Sequence, residues 1–359
     1  MAINRIEIKD FLVFKGEFAT DFCPGVNVII GGNATGKTTL LKAMYRLCGN
    51  GKNRETEEYF LAVGRTEGVF YRTPFEYARI RMKNENEEMS ICVRYFFCDG
   101  PTHDNNIYVN GMFTSIDPNK YEDDYTRTRA INYSRDSTEL VFTSDNYVTL
   151  PSVFLPSTNL LPQSRALPEM IGDYEMDFDA IQIDNIKNAR RPITRLLKPN
   201  CSKVIERLSN IIDGEVLYEN DRFYIKKRSG LKLEFSMEAS GFVRLGLLWK
   251  LLRNGLLESG TILFWDEPEN SLNPEQVPIL VDILLELSRN GVQIFLATHS
   301  EILASYFAVD RKKGDVVVFY ALYREGESIM VESSDRFDLL DNNKLSAEPV
   351  KLYKKQLER

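Results

Sequence analysis

The stretch that decides the fold is Val26–Thr38, which reads V-N-V-I-I-G-G-N-A-T-G-K-T. Its second half, Gly31–Thr38, fits the pattern G-x-x-x-x-G-K-T of a phosphate-binding loop, and its first half is an apolar run typical of a buried strand. A helix is predicted from about Lys37 onward. Strand, glycine-rich turn and helix in this order aim backbone N–H groups and the helix N-terminus at one point, where a polyphosphate can bind. A chance glycine turn before a helix is the alternative, and it does not explain the order.

The loop residues have chemical reasons to be present. Lys37 can reach the β- and γ-phosphates of a nucleoside triphosphate, and the Thr38 hydroxyl can ligate Mg²⁺. The residues expected to contact the nucleotide are Gly31, Asn33, Gly36, Lys37, Thr38 and Thr39.

Composition sets broad bounds. The 359 residues suffice for one large α/β domain or two small ones, and 43% hydrophobic with 27% charged residues are ordinary values. The net charge of −7 means that nucleic acid could bind only at a local basic patch. The five cysteines show no C-x-x-C spacing. Without a long apolar stretch or an N-terminal targeting pattern, we expect a cytoplasmic protein with no membrane partner.

The pattern of strands and helices predicts an α/β fold with a mostly parallel core sheet. Near the start, Ile3–Ile8 alternates like a half-buried strand, Phe11–Phe14 continues the sheet edge, and Gly16 marks a turn. Residues 89–155 are rich in strand patterns, and residues 165–212 are mainly helical in pattern. A hairpin is predicted near 215–235, followed by an apolar helix from Gly241 and two strand–helix units.

An acidic pair follows the first of these late strands. In Ile262–Pro268, I-L-F-W-D-E-P, four apolar residues place Asp266 and Glu267 at the carboxyl end of a buried strand, where α/β sheets bind their ligands. Asp266 would hold the Mg²⁺ shell, and Glu267 would polarise the attacking water as a general base. An ordinary loop start is the alternative, but the phosphate loop earlier in the chain favours the functional interpretation.

One of the two histidines follows the last core strand, in Ala297–Ser300, A-T-H-S. There the His299 side chain could contact a γ-phosphate, although a lone histidine is more often a satisfied polar residue. His103 lies in a polar loop pattern and is not assigned a role. Just before the apolar helix, Ser240 is a good N-cap residue, and the helix N-terminus could also bind phosphate.

Taken in order, the phosphate loop, A-S-G-F-x-R at Ala239–Arg244, L-F-W-D-E-P-E-N-S-L-N-P and A-T-H-S resemble the ABC-type ATPases of the SMC/RecF/OLD class. The sequence is most similar to bacterial AAA-like ATP-binding proteins of anti-phage defence, such as the ATPase subunits of Septu, retron and PARIS systems. The resemblance extends over nearly the whole chain. It implies one ABC-type α/β domain over 1–359: an N-terminal β-lobe with the loop (1–48), a β-rich and helical insertion (49–235), and a signature lobe (236–359).

The same resemblance implies roles for single residues and for partners. Ser240 and Gly241 match the ABC signature, which in this class contacts the γ-phosphate of ATP held by the opposite protomer. Asn270–Pro274, with Asn273, matches the D-loop at the dimer interface, and His299 matches the switch histidine. The implied assembly is a head-to-tail homodimer, or a larger assembly built from it, that binds two ATP molecules with Mg²⁺.

Two positions depart from the class pattern. The signature is A-S-G-F where transporter cassettes have L-S-G-G, which argues against a transporter. The glutamine that bridges Mg²⁺ and the lid has no secure match; Gln163 is the candidate, with a surface loop residue as the alternative. Phe14 could neighbour the adenine, although an apolar residue in a strand hairpin is more often part of the core.

Other features limit what else the chain can be. Residues 50–235 lack sustained heptads, so long SMC-type arms are not expected. The 60 residues after His299 contain no D-x-D or H-E-x-x-H pattern, and Asp177–Asp179 fits a solvated loop, so no attached nuclease is expected. A basic cluster is either a solvated helix face or a patch for DNA or RNA; it comprises Lys187, Arg190, Arg191, Arg195, Lys198 and Lys203.

The sequence therefore predicts an ATP-hydrolysing switch that controls a separate effector, toxin or nuclease in an anti-phage complex. One alternative is a RecF-type repair ATPase that acts directly on DNA. Another is a scaffold that binds ATP with little turnover. Stimulation by duplex DNA would favour repair, co-purification with a neighbouring toxic product would favour defence, and near-zero turnover with intact assembly would favour the scaffold.

Overall fold

The structure is a computed structural model that describes residues 2–48, 77–84, 88–95, 138–142, 150–158, 161–163, 180–194, 199–345 and 347–358. Its strands are β1 (Ile3–Phe11), β2 (Phe14–Asp21), β3 (Val26–Gly31), β4 (Tyr77–Asn84), β5 (Glu88–Tyr95), β6 (Thr138–Phe142), β7 (Ser152–Leu155), β8 (Gly214–Glu219), β9 (Arg222–Lys227), β10 (Lys232–Glu234), β11 (Ile262–Asp266), β12 (Gln293–Thr298), β13 (Val317–Glu325) and β14 (Ser328–Ser334). Its helices are α1 (Lys37–Cys48), α2 (Ala180–Arg190), α3 (Pro199–Ile211), α4 (Ser240–Arg253), α5 (Val277–Arg289), α6 (Glu301–Asp310) and α7 (Ala347–Leu357). In these ranges, no helix combines the length and the apolar character needed to cross a bilayer.

The chain divides into two compact units. The first comprises residues 1–22, 33–150 and 322–331, and the second comprises residues 23–32, 151–321 and 332–359. The boundaries at 48 and 235 that the sequence suggests stay a prediction. His103, Asp177, Asp179, Arg195 and Lys198 lie outside the described residues.

The first unit contains an antiparallel sheet with the strand order β2-β1-β4-β5-β6, together with α1. The turn predicted at Gly16 is wrong. The chain reverses between β1 and β2 at Leu12–Val13, where Leu12 has a φ of +53°, and Gly16 lies inside β2. Phe14 is fully buried, and its ring lies 4.7 Å from that of Phe18, which supports the interpretation of Phe14 as part of the core.

The second unit contains strands β3, β12, β11 and β7 of a six-stranded sheet with the order β14-β13-β3-β12-β11-β7. Its four strands β3, β12, β11 and β7 run parallel, as the near-continuous apolar runs in the sequence predict. Every residue of β3, β11 and β12 is buried. This mixed, mostly parallel sheet with its helices confirms the α/β fold expected from the sequence.

Helices and a small antiparallel sheet complete the second unit. The apolar side chains of α3, α4, α5 and α6 are buried with those of the central strands in one core. The small sheet has the order β10-β9-β8, at the position of the predicted hairpin. Helix α4 is apolar almost all round, with eleven of its residues buried, so its N-terminus at Ser240 is held rigidly by the core.

Candidate functional site

Three parallel strands of the second unit end together at one edge of its sheet. Ile30 at the end of β3 pairs with Thr298 at the end of β12, and Ala297 pairs with Asp266 at the end of β11. The chain therefore leaves this edge at Gly31, at His299 and at Glu267. Since the carboxyl ends of parallel strands are where α/β folds bind ligands, three of the predicted site segments start from one place.

Beyond Gly32 the phosphate loop belongs to the first unit. Gly36 has a φ of +87°, and a Cβ there would lie 2.7 Å from Val13 Cγ2 and 2.8 Å from Phe14 Cζ, so only glycine fits. Leu40 N–H donates to Gly36 O, which closes the first turn of α1. Lys37 is buried.

The other loop residues differ in exposure. Asn33 and Thr38 are exposed and Thr39 is half-buried. Ala34 has a φ of +59°, and its carbonyl accepts a hydrogen bond of 3.3 Å from Arg324 Nη2 in β13. This arginine was not singled out from the sequence, because nothing in its neighbourhood on the chain points to the loop.

The acidic pair after β11 has the geometry of a strained functional turn. Asp266 is buried, whereas the side chain of Glu267 is 35% exposed. Glu267 has a φ of +48°, a conformation that costs a non-glycine residue about 1–3 kcal/mol and is concentrated at active sites. Its N–H donates to Ala297 O of β12 at 2.8 Å, which holds the turn in place.

His299 faces this turn. Its Nε2 lies 3.9 Å from Glu267 Oε1, and its side chain is 36% exposed. The imidazole and the carboxylate are therefore neighbours that solvent or a ligand can reach. Of the predicted catalytic residues, Glu267 and His299 are brought together within the second unit, and Lys37 is described within the first.

A buried arginine that was not predicted as a functional residue holds the Glu267 turn. Arg244 in α4 is 6% exposed, and its Nη1 donates to the carbonyls of Glu267 (2.8 Å) and Asn270 (2.9 Å). Its Nη2 donates to the carbonyls of Pro156 (2.9 Å) and Ser157 (2.8 Å), just after β7. One guanidinium thus joins the signature helix to two turns.

The signature segment begins helix α4, with one correction. Ser240 is the first helical residue rather than the N-cap; the N-cap is Ala239, which makes no side-chain cap hydrogen bond. Ser240 is exposed, and a Cβ at Gly241 would lie only 2.5 Å from the carbonyl oxygen of Ser271. The glycine lets the start of α4 approach the Ser271 backbone, so the signature and the D-loop segment lie against each other.

The segment before Ser240 is fixed by a charged pair. Lys227 Nζ of β9 lies 2.6 Å from Glu238 Oε2, and both side chains are about nine-tenths buried. The same ammonium lies 5.0 Å from the centre of the Phe242 ring. Both contacts place Lys227 as the anchor between the small sheet and the start of α4.

The remaining predicted positions are at the surface. Asn273 is exposed, and its Oδ1 accepts from Glu275 N–H at 3.3 Å, capping a short turn. Gln163 is exposed at the end of a short 3₁₀ turn, Leu161–Gln163, and its role stays a prediction. In the basic cluster, Lys187, Arg191 and Lys203 are exposed and Arg190 is half-buried, with its guanidinium 5.6 Å from the centre of the Tyr218 ring.

Each unit carries one oxygen side chain that the sequence predicts as a metal ligand, the hydroxyl of Thr38 in the first unit and the carboxylate of Asp266 in the second. Both are oxygen ligands of the kind that Mg²⁺ prefers. Within the ranges that the structure describes, no group of three or more His, Cys, Asp and Glu side chains is arranged to hold a metal.

The phosphate loop before α1, the acidic pair after β11 and the histidine after β12 define an ABC-type ATPase of the SMC and RecF class. The chain belongs to the AAA_21 family, described as "AAA domain, putative AbiEii toxin, Type IV TA system", whose sequence profile matches residues 26–305. That match covers more than three quarters of the chain, including the loop, Glu267 and His299.

Comparisons with single proteins agree on the class. The chain is 40% identical over 58 residues to the DNA replication and repair protein RecF of Heliobacterium modesticaldum, covering 16% of this chain and 15% of that protein. It is 55% identical over 47 residues to RecF of Lactobacillus gasseri, covering 13% and 12%. These matches thus span only a small part of the relatives' length. A solved SMC head bound to the C-winged helix domain of ScpA has a TM-score of 0.52 at 15% identity, covering 93% of this chain and 98% of that one, which supports the fold.

Proposed function

We propose that this protein is an ATP-driven switch, in which ATP binding closes a head-to-tail pair of chains and hydrolysis reopens it. The observation that carries the proposal is the Glu267 turn. A glutamate held at a φ of +48° by a neighbouring strand, with a histidine nitrogen 3.9 Å from its carboxylate, has the arrangement of a positioned general base.

In the proposed reaction each side chain has one task. The loop backbone and Lys37 bind the phosphates, and Glu267 accepts a proton from the water that attacks the γ-phosphate. His299 donates a hydrogen bond to the γ-phosphate from the edge where β12 ends. Thr38 and Asp266 would hold Mg²⁺, which when bound neutralises charge on the phosphate oxygens. Ser240 and Gly241 at the exposed start of α4 bind the γ-phosphate held by the second chain.

The test is to compare the wild type with Glu267→Gln in ATPase assays and light scattering. A general base contributes about 10²- to 10⁴-fold, so the variant should lose at least about a hundredfold in turnover while it still binds ATP. With ATP and Mg²⁺ it should accumulate as a dimer. Glu206→Gln, at an exposed position of α3, is the matched control and should behave like the wild type. Wild-type turnover in Glu267→Gln would remove Glu267 as the base, and an ATP-bound monomer would remove the sandwich dimer.

We propose further that the switch controls a separate effector, toxin or nuclease of a cytoplasmic anti-phage system. The family description, which names a putative toxin of a type IV toxin–antitoxin system, supports a role in a toxin–antitoxin system. Tagged wild type and Glu267→Gln, each expressed with the native operon, should both retain a neighbouring gene product, in amounts that differ between the two nucleotide states. The freed product should be toxic. If no product is retained in either state, the effector proposal fails.

A second candidate is direct action on DNA, which the local identity to two RecF proteins favours. It requires hydrolysis to be stimulated by duplex DNA without a protein partner, and binding to weaken steeply with salt. Charge reversal at Arg190 and Arg191 should then reduce both the affinity and its salt dependence. Unchanged binding in that variant would exclude the basic cluster as the DNA surface.

A further inference from the structure

A second glutamate of the turn after β11 joins this turn to the end of β12. Glu269 Oε1 accepts a hydrogen bond of 2.6 Å from the Thr298 hydroxyl and one of 3.2 Å from His299 N–H. Thr298 is fully buried, and its Oγ1 in turn accepts from Ser300 N–H at 2.9 Å. Glu269 therefore holds the three residues through which β12 passes into α6.

The position of Glu269 relative to Glu267 is itself fixed by the backbone. Asn270 N–H donates to Glu267 O, and Leu272 N–H donates to Glu269 O, so the turn is closed on itself. Contacts thus run in a ring from Glu267 through the turn to Glu269, across to His299, and back from the His299 imidazole to the Glu267 carboxylate.

The carboxylate of Glu269 is buried on one side, and its negative charge acts on Arg244. Its Oε2 is buried and, among the residues that the structure describes, has no hydrogen-bond partner. Burial lowers the pKa of Arg244, and the negative charges of Glu269, Glu267 and Asp266 oppose this effect. Among the described residues, the donors to this carboxylate come from the end of β12. A buried acceptor without a partner is destabilising, so packing alone does not explain a glutamate at this position.

We infer that Glu269 is a positioning residue, which sets the His299 backbone so that the imidazole faces Glu267 in the geometry needed for hydrolysis. This inference rests on the proposed function, since it takes Glu267 as the general base. Glu269 itself contacts neither water nor phosphate in this scheme. It acts through Thr298 and His299, which the residue order D-E-P-E alone does not reveal.

Kinetics of three variants test the inference. In Glu269→Ala the turnover number should fall by about tenfold to a hundredfold, the size expected for a small misplacement, while KM for ATP changes by less than about twofold. Glu269→Gln keeps an oxygen that can accept from Thr298 and His299, so its turnover should stay within about threefold of the wild type. A decrease in turnover in Glu269→Gln as large as that in Glu269→Ala would overturn the inference.

A double-mutant cycle with His299→Ala separates positioning from a purely structural role. If Glu269 acts through His299, Glu269→Ala should reduce turnover by less than about twofold once His299 is already alanine. If Glu269→Ala reduces turnover by the same factor with His299 and with alanine at position 299, Glu269 acts independently of His299. Should Glu269→Ala fail to fold, Thr298→Val replaces it in the cycle; this variant removes the hydroxyl that donates to Glu269 and accepts from Ser300 N–H.

A spectroscopic measurement tests the same point without hydrolysis. The chain has two histidines, so the His299 imidazole signal of protein labelled with ¹³C at histidine is assigned with a His103→Asn variant. Glu267→Gln should shift this signal when Glu269 is present and leave it unshifted in Glu269→Ala. An equal shift in both proteins overturns the inference. If the wild type shows no ATPase activity, the proposed function fails, while this measurement still decides the role of Glu269.

Discussion

At the scale of single residues, buried charges determine how the turns of the second unit are held. Arg244 satisfies carbonyls from two segments that are far apart in sequence, and a planar guanidinium with several donors is suited to that task. Asp315 does the reverse, accepting from the Arg289 side chain of α5 and from the backbone of Lys312 in its own loop. Each of these side chains has several hydrogen-bond partners, so its loss leaves more than one group unsatisfied.

Arg244→Lys keeps the positive charge but loses the planar guanidinium and its several hydrogen-bond donors. A single ammonium cannot reach both the Glu267–Asn270 side and the Pro156–Ser157 side, so at least one buried carbonyl loses its donor at a cost of about 1–3 kcal/mol. We expect urea unfolding to show this decrease and the ATPase turnover to fall with it. Arg253→Lys, in the last turn of the same helix, is the control and should change both quantities little. Equal effects of the two substitutions would contradict the special role of Arg244.

Asp315 provides a prediction for pH. Its carboxylate accepts from Arg289 Nε (2.8 Å) and Nη2 (2.6 Å) and from Lys312 N–H (2.7 Å), and the Arg289 hydrogen bonds hold the pKa of Asp315 below its usual value. The stabilisation is therefore complete above the unfolded pKa of about 3.9 and is lost as the pH falls through the lower folded value. Asp315→Asn should lower the free energy of unfolding by about 1.5–3 kcal/mol near neutral pH.

The wild type and Asp315→Asn should become more similar in their free energy of unfolding as the pH falls below about 4. Urea unfolding at a series of pH values measures this difference. Asp282→Asn, which alters an exposed pair with Arg207, is the control and should change stability little at any of them. A difference that is independent of pH would mean that the Asp315 side chain contributes by shape rather than by charge.

At the scale of elements, the strand–loop–helix order and the two late strand–helix units were predictable from the sequence because their apolar runs are long and their boundaries carry glycine or proline. The prediction that Lys37 starts a helix is confirmed. The Leu12–Val13 turn was missed, since no glycine marks it and Leu12 adopts a positive φ instead. Arg244 and Glu269 were missed as functional residues because their partners lie on other elements, which a linear pattern does not show.

The contact between the start of α4 and the D-loop segment leads to an element-scale prediction. In Gly241→Ala the new methyl group would lie 2.5 Å from Ser271 O, and Ser271 already has a φ of +64°, so the backbone must move apart. Overpacking of this kind costs about 1–3 kcal/mol. We expect lower stability in urea and weaker ATP-dependent dimerisation by light scattering.

Gly246→Ala in the same helix is the matched control. A Cβ there would lie 3.3 Å from side-chain atoms of Phe235 and Val216, which can move, and alanine favours a helix over glycine by about 1 kcal/mol. This variant should therefore be close to the wild type in stability and should dimerise normally. If Gly241→Ala also dimerises normally, the signature segment does not need its close approach to the D-loop.

At the scale of the whole molecule, the sequence motifs predict which residues bind ATP but not which chain completes the site. The signature serine is exposed at the first position of α4, and Asn273 is exposed on the adjacent D-loop segment. Polar residues that lie exposed on a rigid helix start are available to a second molecule. The dimer is therefore a proposal about how two copies share their sites, and ligand-dependent stability can test it.

Thermal unfolding with ATP and Mg²⁺ tests the whole-molecule scheme. At a ligand concentration of about a hundred times the Kd, binding stabilises the native state by about 2.7 kcal/mol. For chains of somewhat smaller size, each kcal/mol of stabilisation raises Tm by about 2–4 °C. We expect a Tm rise of several degrees in Glu267→Gln, which grows with protein concentration because closure joins two chains. Lys37→Ala should show neither the rise nor the concentration dependence. A rise that is the same at every protein concentration would mean that ATP binds to single chains and does not close a dimer.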